Sequence, residues 1–155
     1  MKKLFLFAGL FLVALTIKAQ QSDPTKEETI KYIDNWLKKN VEGVGNSGDM
    51  IVTKISFTED KITIVIPSSN PSIVNTYTAT GMDWSAYKRC VFNDYGGFTI
   101  FFSKKNILDE EGKYMASVIV TGPQIPEDKQ QQLIKALKHL KKLSSAGNGN
   151  TFFNK

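Results

Sequence analysis

Residues 51–66 read IVTKISFTEDKITIVI, and this stretch decides the fold. Apolar side chains recur at every second position on both sides of Glu59 and Asp60. A period of two is typical of half-buried β-strands. Glu59 and Asp60 leave room only for a tight turn, so the stretch predicts a β-hairpin whose strands pair antiparallel.

Further β-rich segments follow the hairpin at residues 73–80, 87–92, 98–103 and 114–121. Gly96 and Gly97 predict a hairpin turn between two of them. No helical pattern separates these segments, which argues against βαβ units and against a parallel nucleotide-binding sheet. We therefore expect about six antiparallel strands.

Two amphipathic helices enclose the strand region in sequence. Thr25 and Glu28 have the spacing of a capping box and predict a helix over residues 25–39, while a leucine stripe predicts a second helix over residues 127–144. The expected fold class is α+β: a bent sheet with an N-terminal helix and a long C-terminal helix. This layout resembles the pleckstrin-homology-like architecture. The alternative is an open sheet with both helices on one face.

The N-terminus predicts export. Residues 1–19 combine Lys2 and Lys3 with an apolar run of about 14 residues, which is too short to span a bilayer, and end at Ala19. We interpret them as a signal peptide, with an uncleaved anchor as the alternative. Residues 20–146 would form a single domain and residues 147–155 a mobile tail. The protein would then be periplasmic or secreted, with no transmembrane segment after cleavage.

The charge of the chain comes largely from that leader. Loss of Lys2, Lys3 and Lys18 lowers the basic side chains from 20 to 17 against 15 acidic ones, so the net charge falls from +5 to about +2. We expect no nucleic-acid partner. The lone Cys90 excludes an internal disulfide and is expected to pack as a small apolar side chain, with a reactive thiol as the alternative.

Three segments carry a resemblance: Ala19-Gln20 at the predicted cleavage site, the opening helix from Thr25 to Leu37, and the closing stretch from Lys135 to Leu143. They resemble small exported proteins of Bacteroidetes whose function is uncharacterised. The resemblance lies mainly in the two helices and implies no catalytic or binding residues.

The sequence lacks the residues that several kinds of functional site require. His139 is the single histidine and argues against a zinc site, and no glycine-rich phosphate loop is present. The acidic run Asp109-Glu110-Glu111 lacks the spacing of a calcium loop and predicts a solvated turn. We expect no cofactor, no bound metal and no catalytic residue.

Aromatic residues are the best candidates for binding: Trp84, Tyr87, Tyr95 and Phe101. Trp and Tyr combine a large apolar area with a polar group, which suits an apolar ligand or a protein partner. Packing in the core is the alternative for the cluster. Phe101 points away from its apolar strand neighbours, so either a second layer covers it or it forms a contact surface.

These observations favour a non-enzymatic binding or interaction module of the bacterial envelope. Its partner would be a small apolar ligand or an envelope protein, and the oligomeric state is left open. Two alternatives are a small hydrolase that works without histidine and a structural accessory of an envelope complex.

Overall fold

A computed structural model describes residues 22–44, 51–68 and 73–147. The predicted signal peptide and the tail beyond residue 147 lie outside these ranges. The elements in chain order are α1 (Lys26–Asn40), β1 (Lys54–Phe57), β2 (Lys61–Pro67), β3 (Val74–Thr80), a 3₁₀ turn (Trp84–Ala86), β4 (Tyr87–Phe92), β5 (Phe98–Phe102), β6 (Ile107–Leu108), β7 (Tyr114–Met115), β8 (Ser117–Val120) and α2 (Glu127–Gly147).

The α+β class is confirmed, but the strands form two antiparallel sheets rather than one bent sheet. A five-stranded sheet has the order β1-β2-β3-β6-β7, and a three-stranded sheet has the order β4-β5-β8. The segment predicted as one strand over residues 114–121 divides at Ala116, and its two halves join different sheets. Strands of two residues, such as β6 and β7, are too short to show a sequence period, so the pattern missed this crossing.

The predicted β1–β2 hairpin is confirmed. Ile55 lies opposite Ile64 and Phe57 lies opposite Ile62, so the apolar side chains of both strands share the buried face. On β3, Ala79 pairs with Ile62 and is the buried residue of that strand. The inner face of the larger sheet is therefore built from alternate residues of three neighbouring strands.

Both predicted helices are confirmed with small shifts at their ends. The Thr25 hydroxyl accepts a hydrogen bond from the Glu28 backbone N–H at 3.2 Å, and the Glu28 carboxylate accepts one from the Thr25 N–H at 2.8 Å. This capping box satisfies two N–H groups that have no partner within the helix. The Asp34 carboxylate accepts from the Phe57 N–H at 2.9 Å, which joins α1 to the first strand.

One hydrophobic core joins the sheets and the helices. From α1 it includes Ile33 and Leu37, and from α2 it includes Leu133, Leu137 and Leu140, each at most 1% exposed. The two helices pack against each other, and α2 also contacts the 3₁₀ turn and β4. The helices therefore contact each other and reach the strand region at β1, the 3₁₀ turn and β4.

Candidate functional site

Two of the four aromatic candidates lie in the core. Trp84 and Tyr87 are each 2% exposed, and their ring centroids lie 6.4 Å apart. The Trp84 ring also contacts Phe57 and Phe102, each with a centroid distance of 5.3 Å. The structure thus places this pair in the core-packing arrangement that the sequence left open, where neither ring can meet a ligand at the surface.

The other two candidates lie on the three-stranded sheet, away from that cluster. Tyr95 is fully exposed in the turn between β4 and β5. Phe101 faces away from the core and is half-buried, because the Arg89 guanidinium lies 4.9 Å from the centre of its ring. A cation above an aromatic face is attracted by the ring quadrupole. The structure therefore does not bring the four predicted residues together in one site.

A cleft between the two sheets is the better candidate. Its volume is about 380 Å³, and most of its walls are apolar. The residues that line it are Ile62, Ile64 and Ile66 of β2, Tyr77, Thr78 and Ala79 of β3, Asp109, Glu110, Met115, Ser117, Val118 and Ile119 of the β6–β8 region, and Thr121. We call this cavity the inter-sheet cleft.

The pattern of lining residues shows how the strands meet the inter-sheet cleft. On β2 every second residue contributes, so the cleft lies over one face of that strand. On β3 and β8 three consecutive residues contribute. Because successive side chains of a strand point to opposite faces, a cavity meets three in a row only along the edge of the strand. The floor is therefore an apolar strand face, and two walls are strand edges.

Tyr77 is an inner-face residue that remains exposed at the cleft, whereas Ile62, Ile64 and Ile66 are only 1–7% exposed. It pairs with Ile64 across the β2–β3 ladder and so shares the core-facing side of the sheet, yet it is 46% exposed. Its ring borders the cleft instead of packing in the core. Sequence reasoning missed the cleft because it depends on which strand edges remain unpaired.

Negative charge is concentrated in the acidic turn between β6 and β7. The Glu110 carboxylate accepts a hydrogen bond from the Thr78 N–H at 3.0 Å, and the Asp109 carboxylate accepts from the backbone N–H groups of Glu111 and Lys113. The lining residues include no Lys, Arg or His. The hydroxyl of Thr121 is buried and has no hydrogen-bond partner within the described residues. The cleft therefore favours a ligand that is apolar and carries hydrogen-bond donors or positive charge near the turn.

Cys90 packs against the core from β4. Burial raises the pKa of its thiol from 9.0 to about 12, and burial likewise raises the pKa of Tyr87 from 10.0 to about 12. A thiol with so high a pKa stays protonated at neutral pH and is a poor nucleophile. This environment favours the structural interpretation of Cys90.

These two raised pKa values predict a loss of stability in alkali. The folded state holds both protons more tightly than the unfolded chain, so their contribution is complete below about pH 9 and falls as the pH rises towards 12. We expect the free energy of unfolding, measured by urea titration, to decrease above pH 9, and Cys90→Ala to flatten the first part of the decrease. A constant free energy of unfolding from pH 8 to 11 would contradict this.

His139 holds the segment that precedes α1. Its Nε2 donates a hydrogen bond to the Pro24 carbonyl at 2.9 Å, and Lys142 lies 3.3 Å from the Asp23 carboxylate. These contacts line a wide hollow between the helices, open to solvent. The single histidine is thus half-buried on α2 and has a structural hydrogen-bond partner.

The described ranges also bear on two other kinds of site. No group of three or more His, Cys, Asp or Glu side chains in them is arranged to hold a metal ion. Neither of their two helices combines the length and the apolar character needed to cross a membrane.

Comparison of the chain with protein-family models, with curated proteins and with solved structures finds no match. The resemblance to exported Bacteroidetes proteins and the pleckstrin-homology-like layout therefore stay predictions.

Proposed function

We propose that this protein is an exported, non-enzymatic binding module of the bacterial envelope and that it binds an apolar ligand in the inter-sheet cleft. The observation that carries the proposal is the cavity of about 380 Å³ beside the larger sheet, where the half-exposed Tyr77 forms a wall and nearly buried isoleucines of β2 form the base. Cavities of a few hundred Å³ with mostly apolar walls and few polar groups are typical of ligand sites.

The contacts of the two cleft carboxylates favour binding over hydrolysis. Glu110 accepts a hydrogen bond from the β3 backbone, and Asp109 accepts two within its own turn. Carboxylates engaged in this way hold the backbone in place, whereas a general acid or base must be free to exchange a proton with substrate. Export of the module rests on the predicted signal peptide at residues 1–19.

Two tyrosines provide a matched test of the proposed site. Tyr77 borders the cleft and is 46% exposed, whereas Tyr114 on β7 is 67% exposed and lies outside the lining. We expect the neutral fluorophore phenylnaphthylamine to bind the wild-type protein at one site. Tyr77→Ala should weaken its affinity about tenfold, because it removes a large aromatic wall. Tyr114→Ala should leave the affinity unchanged.

Fluorescence titration measures both affinities, and urea unfolding checks that the two variants retain similar stability. Equal affinity of Tyr77→Ala and wild type would show that the fluorophore binds elsewhere. Absence of saturable binding to the wild type would remove the support for an apolar ligand site.

A further inference from the structure

The free edge of β8 lies along the inter-sheet cleft. This strand is the outer member of the three-stranded sheet and pairs only with β5 among the described strands. The Phe102 N–H donates to the Ala116 carbonyl at 2.8 Å, which sets the phase of the ladder. Hydrogen-bonded pairs alternate with non-bonded ones in an antiparallel ladder, so Val118 bonds to β5 while Ser117 and Ile119 direct their backbone groups outward. Both residues line the cleft.

The edge of β3 is also open beside the cleft. This strand pairs with β2 along its whole length but meets β6 only at Thr80. The Thr78 N–H points away from β2 and is bound at 3.0 Å by the Glu110 carboxylate. A side chain therefore occupies the position that the carbonyl of a neighbouring strand would take. Over residues 74–78 no described strand covers this edge.

The floor of the cleft has the repeat of an extended chain. Ile62, Ile64 and Ile66 lie at alternate positions of β2, so they recur about every 6.6 Å along the strand. Alternate side chains of a bound strand would recur at the same distance. These isoleucines are only 1–7% exposed, so the apolar surface that a bound peptide would meet comes from Tyr77 and Ile119, which are 46% and 62% exposed. A peptide with an apolar residue at every second position can place those side chains on the Tyr77 side of the cleft while its backbone meets the β8 edge.

The acidic turn indicates the charge of such a peptide. Asp109 and Glu110 line the cleft near Thr78, and no basic side chain lines it. A lysine or arginine beside the apolar stretch would complement these carboxylates.

We infer that the inter-sheet cleft binds an extended peptide segment, with alternating apolar residues and a flanking lysine or arginine, by adding it as a strand to the free edge of β8. This inference rests on the proposed function, because it specifies the ligand class of the same cleft. Backbone hydrogen bonds along the edge contribute affinity, and the exposed apolar wall at Tyr77 selects the apolar alternation.

The test uses capped hexapeptides of alternating valine and threonine that carry lysine at the N-terminus or at the C-terminus, with calorimetry as the readout. Valine amides and threonine amides point to opposite edges of an extended peptide. We therefore expect N-methylation of one set to weaken binding of the tighter hexapeptide at least about tenfold more than N-methylation of the other set. Equal effects of the two sets would overturn strand addition.

A variant pair tests the β8 edge from the protein side. Ile119→Pro removes the outward N–H, which an edge strand tolerates, while Ile119→Thr keeps it. Both variants lose the isoleucine side chain. A weaker affinity of the peptide for Ile119→Pro than for Ile119→Thr therefore measures the loss of the backbone N–H. Equal peptide affinities of the two variants, with similar free energies of unfolding in urea as evidence of an intact fold, would contradict the inference.

A variant of Glu110 tests how much its negative charge contributes to peptide binding. Glu110→Gln retains an acceptor for the Thr78 N–H and removes the negative charge. We expect it to weaken the lysine peptide about threefold and to leave an otherwise identical norleucine peptide unchanged. An unchanged affinity of the lysine peptide would exclude the proposed recognition of positive charge.

The outcomes separate this inference from the proposed function. If phenylnaphthylamine binds, responds to Tyr77→Ala and competes with no peptide, the cleft is an apolar site and strand addition is wrong. If neither probe binds, the proposed function fails as well. A dimer that forms without peptide and excludes the fluorophore would assign the edge to a second copy of the chain and overturn the inference.

Discussion

Replacement of Trp84 by alanine is expected to lower the free energy of unfolding by about 3–5 kcal/mol, the range observed when a buried aromatic side chain is removed. Trp84 is 2% exposed and lies between Phe57, Tyr87 and Phe102, so the aromatic cluster would lose its central ring. Small domains have only about 5–15 kcal/mol in total. Urea unfolding followed by circular dichroism measures the change, and a loss below about 1 kcal/mol would contradict the burial of this ring.

The second tryptophan gives a control for the hydrogen bond of Trp84. The Trp84 indole N–H donates to the Glu59 carbonyl at 2.5 Å, whereas the buried indole N–H of Trp36 has no partner within the described residues. Trp84→Phe leaves the Glu59 carbonyl without its donor, while Trp36→Phe removes an unpaired polar group. We therefore expect Trp84→Phe to cost about 1 kcal/mol more than Trp36→Phe. The reverse order would show that this hydrogen bond does not contribute.

Gly97→Ala is expected to destabilise the protein by about 3 kcal/mol, because two separate costs coincide at this turn. Gly97 has a φ of +73°, which disfavours any residue with a Cβ, and a Cβ there would lie 2.2 Å from the Val120 carbonyl oxygen. That oxygen belongs to backbone and cannot swing away. The turn would have to separate from the end of β8, so the inter-sheet cleft should lose affinity for phenylnaphthylamine at the same time.

Gly112→Ala isolates the first of these costs. Gly112 has a similar φ of +76°, but a Cβ there would meet no atom within 4 Å. We expect it to cost only about 1 kcal/mol, the conformational penalty alone. Urea unfolding of the two variants compares them directly. Equal destabilisation would show that the close approach of β8 to Gly97 has no energetic consequence.

Local patterns predicted the parts of the fold that depend on neighbours in sequence. The capping box at Thr25, the period of two around Glu59 and the leucine stripe of α2 each encode their element within a few residues. The Gly96–Gly97 turn was also predictable and is confirmed by the β4–β5 pairing. These features follow from backbone sterics and side-chain periodicity, which act over short distances.

The sequence predicted the functional site less well than the fold, because it did not show which aromatic residues are buried. Trp84 and Tyr95 were indistinguishable as candidates in sequence, yet one is almost fully buried and the other fully exposed. Tyr77 shares the alternation of a core-facing residue and still borders the cleft. Whether an inward side chain is covered depends on the element opposite, which residue type does not specify.

By itself the sequence determined the α+β class, the two amphipathic helices and the antiparallel character of the strands, because each is encoded in local patterns. Only the tertiary structure decided that the strands divide into two sheets, that β8 returns to β5, and that the edges of β3 and β8 stay open beside an isoleucine floor. Strand pairing joins residues far apart in the chain. Which strands pair depends on all the strand edges that are available in the folded molecule, and local sequence does not specify this.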